Sequence, residues 1–275
     1  MKEKYNIFYV NAFSEEAFKG NPAAVYITEE NISDSIMQNI ATEIGFAETS
    51  FIQEIKDGVY NLRWFSPKCE VAVCGHATLA AAKIIFDQFN KNQITFKSSY
   101  GDIVAVKENE LIVLEFPKDI VEVPHIKDLQ ILMDAMGIIE YKKLFIGKYT
   151  KKLIFHLNTE DELLKLNPNF KEMLKYSSEK INGTAVTVES QSAEFDFITR
   201  CFNPWVGIEE DYVTGSVHTL LGAYYSKLLN KNKLLALQKS KREGEIFIEV
   251  AGINKIKIKG NGYIFLKGIL PKISD

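Results

Sequence analysis

Nothing in this chain approaches the roughly 18 uninterrupted apolar residues that a membrane-crossing helix needs. Its opening, MKEKYNIFYVNAF, also lacks the long apolar core of a secretion signal. The expectation is a cytoplasmic protein with no membrane partner. Cysteine is scarce: Cys69, Cys74 and Cys201 are an odd number in a long chain, which argues against a disulfide framework and fits a reducing compartment. Positive charge is not in excess either. With 33 Lys and Arg against 36 Asp and Glu, the net charge is −3, and no basic field exists to gather nucleic-acid phosphates. Neither GxGxxG nor GxxxxGK[ST] occurs, so no nucleotide cofactor is expected. Cys69, Cys74 and His76 would give only three ligands at spacings of no common zinc pattern, so no metal is expected.

What is present is a globular composition, 46% apolar and 25% charged over 275 residues, long enough for about two domains. An internal repeat relates the halves. Arg63, Phe65 and Pro67 of RWFSP recur 137 residues later as Arg200, Phe202 and Pro204 of RCFNP. Each copy follows an alternating, strand-like run and leads through a loop to a glycine that opens a helical stretch, GHATLAAAKIIF from Gly75 and GSVHTLLGAYYSKLL from Gly215. Both stretches are apolar on nearly every face, which predicts buried central helices. Alternating strands follow each, with Asn261-Gly262 as a tight turn.

Elsewhere the pattern predicts an amphipathic helix over 33–44 capped by Ser33, with Ile36, Ile40 and Ile44 on one face. Further helical segments fall near 126–136 and 160–176, the latter announced by a capping box at Thr159 and Glu162 and renewed at Asn167-Pro168. The expected fold is α+β, with two pseudo-twofold-related lobes. Each is a barrel-like, mostly antiparallel sheet wrapped around a buried helix. The boundary falls between Pro117 and Pro124, giving lobes of 1–118 and 119–275. The last strand, Tyr263 to Leu270, is left open between closing the second lobe and returning to the first.

A helix start offers unpaired amides and a positive dipole end, a natural seat for a carboxylate or phosphate. Two such starts, Gly75-His76 and Gly215-Ser216, would face one cleft if the repeats are related by a dyad. A small anionic metabolite is the implied ligand. GNPAAV with Asn21, the glutamate of FAETSF (Glu48), RWFSPKCEVAVCGHATLAAA and PWVGIEEDYVTGSVH together resemble the phenazine-biosynthesis PhzF-like family. The resemblance implies the diaminopimelate-epimerase fold, a homodimer, and Glu48 as a catalytic acid/base. It implies His76 and Asp211 in the active site, with Asn21, Cys74, Gly75, Gly215 and Ser216 binding substrate. The chain departs from the family in carrying Tyr212 after Asp211, where proline is common.

The residues themselves add expectations. On the residues alone Glu48 reads first as a solvated glutamate at a helix-to-strand junction; with the catalytic role that the resemblance implies, the apolar neighbours Phe46, Ala47 and Phe51 would bury its carboxyl and push it up toward neutral pH. The helix dipole predicts a neutral His76. Asp211 ends the acidic run Glu209-Glu210-Asp211, which ordinarily marks a solvated loop. Ser216 offers a hydroxyl and an amide but no nucleophile, because His218, two residues along the helix, points elsewhere, and no GxSxG elbow occurs. Cys74 is expected to be a buried, small apolar residue or to line the pocket with its pKa lowered by the helix end.

Relatives by fold use one thiol per lobe. Cys74 stands in the first such place, but residues 211–214 hold no cysteine, and Cys201 lies fourteen residues before Gly215. The reading is a cofactor-independent isomerase moving a proton on a small carboxylate by carboxylate acid/base catalysis. A thiol-dependent racemase or epimerase and a non-catalytic binder of a small acid are the alternatives.

Overall fold

The computed structural model describes residues 6–176, 181–271 and 273. The chain divides into two compact units. One is built from the chain up to Phe116 together with the chain from Lys257 on, the other from Pro117–Ile256.

In the first unit, β1 (Ile7–Ala12) and β2 (Asn21–Thr28) form an antiparallel pair. The helix α1 (Asp34–Ile44) then crosses to β3 (Thr49–Lys56), which lies parallel to β2. As the pattern predicts, Ser33 caps α1 by accepting from the Ile36 amide, and Ile36 and Ile40 are buried. The strand β4 (Val59–Phe65) returns antiparallel, β5 (Glu70–Val71) folds back on its end, and α2 (Gly75–Phe89) follows. Then come β6 (Gln93–Ser98), parallel to β4, and the antiparallel β7 (Gly101–Glu108) and β8 (Leu111–Pro117).

The second unit opens with β9 (Val121–Glu122) and α3 (Leu129–Met136). From there β10 (Lys143–Gly147), β11 (Lys152–His156), β12 (Gly183–Glu189), β13 (Phe197–Asn203), β14 (Ile208–Asp211), β15 (Lys233–Gln238) and β16 (Gly244–Ala251) repeat the pairing of β1 to β7 step by step. The crossover from β11 to β12 holds α4 (Glu160–Lys165), with its capping box formed, and α5 (Phe170–Met173). The predicted helix over 160–176 is thus two short ones. Proline at 168 removes an amide and sets the preceding residue outside the helical region. The helix α6 (Gly215–Leu229) stands where α2 stands in the first unit. Finally β17 (Lys255–Gly260) and β18 (Gly262–Gly268) close the chain, and β18 pairs antiparallel with β1. The last strand therefore belongs with the first unit and not with a lobe of 119–275.

The sheet of the first unit curls about α2, which packs against β1, β2, β3, β7 and β18 and buries ten of its fifteen residues. Burial on nearly all faces is what its alanine-rich sequence allows. The Arg-x-Phe-x-Pro repeat has a structural reason. Arg63 bonds both oxygens of Glu70 at 2.8 Å and lies 5.1 Å over the Phe65 ring. Arg200 bonds Glu210 at 2.7 and 3.0 Å and lies 5.1 Å over Phe202. Each ties the strand before the helix to the short strand that folds back on it.

Candidate active site

In the first unit the helix start is built by three adjacent pieces. Cys74 precedes α2 in an extended conformation and makes no side-chain cap. Glu48 follows the left-handed Gly45 that ends α1 and immediately precedes β3, its carbonyl accepting from the Ala24 amide at 3.3 Å. Its side chain turns inward, leaving the residue 9% exposed. There Glu48 Oε2 lies 3.2 Å from His76 Nε2, and Cys74 Sγ lies 3.4 Å from His76 Nδ1. The Glu48–His76 contact is an ion pair without the alignment of a hydrogen bond, so Oε2 is buried with no donor.

The electrostatics of this cluster overturn two expectations, for Glu48 and His76, and for Cys74 favour the buried, small apolar residue over the activated thiol. Burial does push the Glu48 carboxyl up, but His76 and Cys74 beside it outweigh burial, and its pKa falls below the ordinary value. Burial pulls His76 down, while Cys74 and Glu48 pull it up by more, so its pKa stands well above the usual imidazole range. A neutral His76, expected from the helix dipole, is thus corrected: Cys74 at 3.4 Å and Glu48 at 3.2 Å together exceed partial charges that fade within a turn. Burial, aided by Glu48, pushes the Cys74 thiol up despite His76 and the Ala77 amide, the reverse of a thiol activated by a helix end. These directions favour a carboxylate at Glu48 and a proton on both His76 and Cys74. Among the described residues, Glu48, Cys74 and His76 are also one group that could hold a metal, with ligand atoms within 4.8 Å of one another. Glu48, missing from the ligand set weighed on sequence, replaces Cys69, which is exposed and bonded to Ser66.

Asn21 is buried at the start of β2. The parallel register, with Ala24 beside Thr49, puts it at the same end of the sheet as Glu48. A groove of about 970 Å³ elsewhere in this unit, lined by Tyr26, Glu30, Ile36 and Tyr60, touches none of these residues.

In the second unit Asp211 ends β14 and is buried, not part of a solvated loop. The Thr214 hydroxyl donates to its Oδ2 at 2.6 Å. Gln238 accepts from the Thr214 amide at 2.8 Å and donates to the Asp211 carbonyl at 2.7 Å. Thr214 and Gln238 escape sequence reasoning; the available signal is a polar residue in the buried phase of the run LLALQ. Gly215 is buried and Ser216 is exposed at the start of α6. His218 donates from Nδ1 to the Thr214 carbonyl at 2.8 Å, and burial pushes its pKa down to about 4. It serves the helix, not Ser216. Tyr212 lies under the Arg242 guanidinium, 5.5 Å from its ring centre. Cys201 is fully buried on β13, its thiol pushed up chiefly by burial.

Residues 10–268 match the PhzC-PhzF family, described as phenazine biosynthesis-like protein. An uncharacterized isomerase of Halalkalibacterium halodurans is 42% identical over 247 residues, covering 89% of this chain and 90% of that protein. Phenazine biosynthesis-like domain-containing protein 2 of Mus musculus is 37% identical, covering 97% and 99%. The crystal structure of a PhzF-family protein from Enterococcus faecalis superimposes with a TM-score of 0.88 at 36% identity, over 96% of this chain and 98% of that one.

Proposed function

We propose that this chain, which belongs to the phenazine biosynthesis-like family, is an isomerase that moves a proton between two positions of a small carboxylate-bearing metabolite, with Glu48 as the base. The observation that carries this reading is the buried Glu48 carboxylate, whose Oε2 lies 3.2 Å from His76 Nε2 and whose pKa the neighbouring His76 and Cys74 lower. A resting carboxylate must begin by abstracting, not donating, so the cycle opens with removal of a proton from carbon next to a carbonyl or enamine. Glu48 then returns that proton at the second position. The His76 imidazolium keeps Glu48 ionised and offers a positive charge to the electron-rich intermediate, whose stabilisation costs no reorganisation in a preformed site. Asp211, with the amides of Gly215 and Ser216, keeps the substrate-holding role that the family resemblance implies. The step draws on no group beyond the chain's own side chains and amides. Cytoplasmic location and a homodimer belong to the same reading; sedimentation at micromolar concentration tests the dimer, and a monomer would count against it.

A screen of small unsaturated and amino carboxylic acids in heavy water tests the reaction. A turned-over ligand should take up deuterium, and Glu48→Gln should slow uptake by at least about 100-fold. Equal uptake with both proteins would remove Glu48 from the chemistry. A thiol racemase predicts instead that alkylating Cys74 abolishes exchange and that Glu48→Gln does not, against the raised thiol pKa. A pure binder predicts saturable binding with no exchange.

A further inference from the structure

One buried cation in the second unit forms no ion pair among the described residues. Lys152 opens β11 with 9% of its surface exposed, and its ammonium donates to the Asn182 carbonyl at 3.1 Å and to Asn203 Oδ1. Both acceptors are neutral, and no carboxylate among the described residues forms an ion pair with it. Asp119, buried in the same unit, shows what compensation looks like: the amides of Ile120, Tyr149 and Thr150 and the Thr150 hydroxyl all donate to its carboxylate. An ammonium has three donors, so one N–H of Lys152 is unspent, and a buried charge left so is costly.

The chain makes room for this charge. A Cβ on Gly183 would stand 2.5 Å from Lys152 Nζ and 2.0 Å from Asn203 Oδ1, so no larger residue fits without displacing them. Gly183 is the counterpart of Glu48: Thr49 faces Phe65 in the first unit as Thr184 faces Phe202 in the second. Where one unit places a carboxylate, the other has removed the side chain and inserted an ammonium. The helix start is close by. The Asn203 amide contacts Cys201 Sγ at 3.6 Å, Cys201 lies opposite Asp211 across β13 and β14, and Asp211 bonds Thr214, which precedes Gly215.

We infer that Lys152, held by Asn203 and admitted by Gly183, is an anion-binding residue that takes the carboxylate of a small metabolite. That this carboxylate is the substrate's rests on the isomerase reading; binding of the anion does not.

The test is a titration of the full chain carrying ¹⁵N-labelled lysine, first with acetate and separately with inorganic phosphate. The lysine ammonium signal that Lys152→Met removes should shift saturably with acetate, and at least tenfold more acetate should be needed in Gly183→Ala. Glu48→Gln should bind acetate as the parent does while losing deuterium exchange, which separates failure of this inference from failure of the catalytic reading. Preference for phosphate would overturn the carboxylate assignment. No shift of that signal with either anion would overturn the site.

Discussion

At the start of α2 a carboxylate, an imidazole and a thiol pack against one another, whereas at the start of α6 a threonine and a glutamine bond Asp211, and the same unit holds a buried lysine on two neutral acceptors. The frames are nearly the same. Both helices have fifteen residues, begin after an extended residue with no side-chain cap, and end at an asparagine in the left-handed region. Even the fourth helical residue repeats its task, Thr78 bonding the Cys74 carbonyl at 2.6 Å and His218 the Thr214 carbonyl at 2.8 Å. Duplication thus conserved the backbone while the side chains aimed at each helix start diverged. The difference teaches that the repeat supplies two similar helix starts with different surroundings, a cluster of titratable groups at one and neutral polar side chains around a carboxylate at the other.

The two histidines offer the largest test of that contrast. His218 is buried without charge and its pKa is pushed down to about 4, so its contribution to stability is present above about pH 6.5 and is lost as pH falls toward 4. At about 1.4 kcal/mol per unit, the loss is about 3 kcal/mol. His76, whose pKa is raised, contributes in the opposite sense: fully below about pH 6.5, and less as pH climbs through its folded value. Thermal unfolding from pH 4 to 9 should therefore show an acid limb that His218→Gln flattens and an alkaline limb that Glu48→Gln flattens. Identical limbs in all three proteins would show that neither histidine's ionisation shapes the stability.

A smaller difference should separate the two repeat arginines. Arg200 is more enclosed than Arg63 and also donates to the carbonyls of Leu163 and Leu166 at 3.2 and 2.8 Å. Its removal leaves Glu210 and two carbonyls unpaired. Arg200→Ala should cost about 3 kcal/mol, against about 1 kcal/mol for Arg63→Ala, by denaturant unfolding. Equal costs would mean that the two carbonyls weigh no more than the exposed Asp34, which Arg63 also bonds, at 2.7 Å.

The smallest effect concerns the helices themselves. Gly222 of α6 stands where α2 has Ala82, and a Cβ there would meet Ile248 Cγ2 and Ile256 Cδ1 at 2.6 Å. Alanine gains about 1 kcal/mol in helix propensity, but overpacking costs about 1–3 kcal/mol. Gly222→Ala should lower the melting temperature by an amount worth about 1 kcal/mol. A rise in melting temperature would show that the sheet gives way around α6.

Local patterns were readable wherever a short segment dictates its own structure. Ser33 caps α1, Thr159 and Glu162 form their box, and the glycines at 75 and 215 open the two buried helices, because each depends on neighbours a few residues away. Ionisation was not readable. Phe46, Ala47 and Phe51 correctly signal burial of Glu48, yet the sign of its shift comes from His76, 28 residues on and brought within 3.2 Å by the path from β3 to α2. Thr214 and Gln238 were invisible as a pair for the same reason, meeting across 24 residues.

By itself, then, the sequence determined the duplicated frame, through the spacing of arginine, phenylalanine, proline and glycine and through strand and helix periodicity, all of which act over short stretches of chain. Only the tertiary structure decided which unit receives the last strand, that His76 and Cys74 meet Glu48 and lower its pKa, and that Lys152 lies buried against two neutral acceptors. Strand pairing and charge in a buried site depend on groups that folding alone brings within a few ångströms, where burial and Coulomb forces of opposite sign must be weighed against each other.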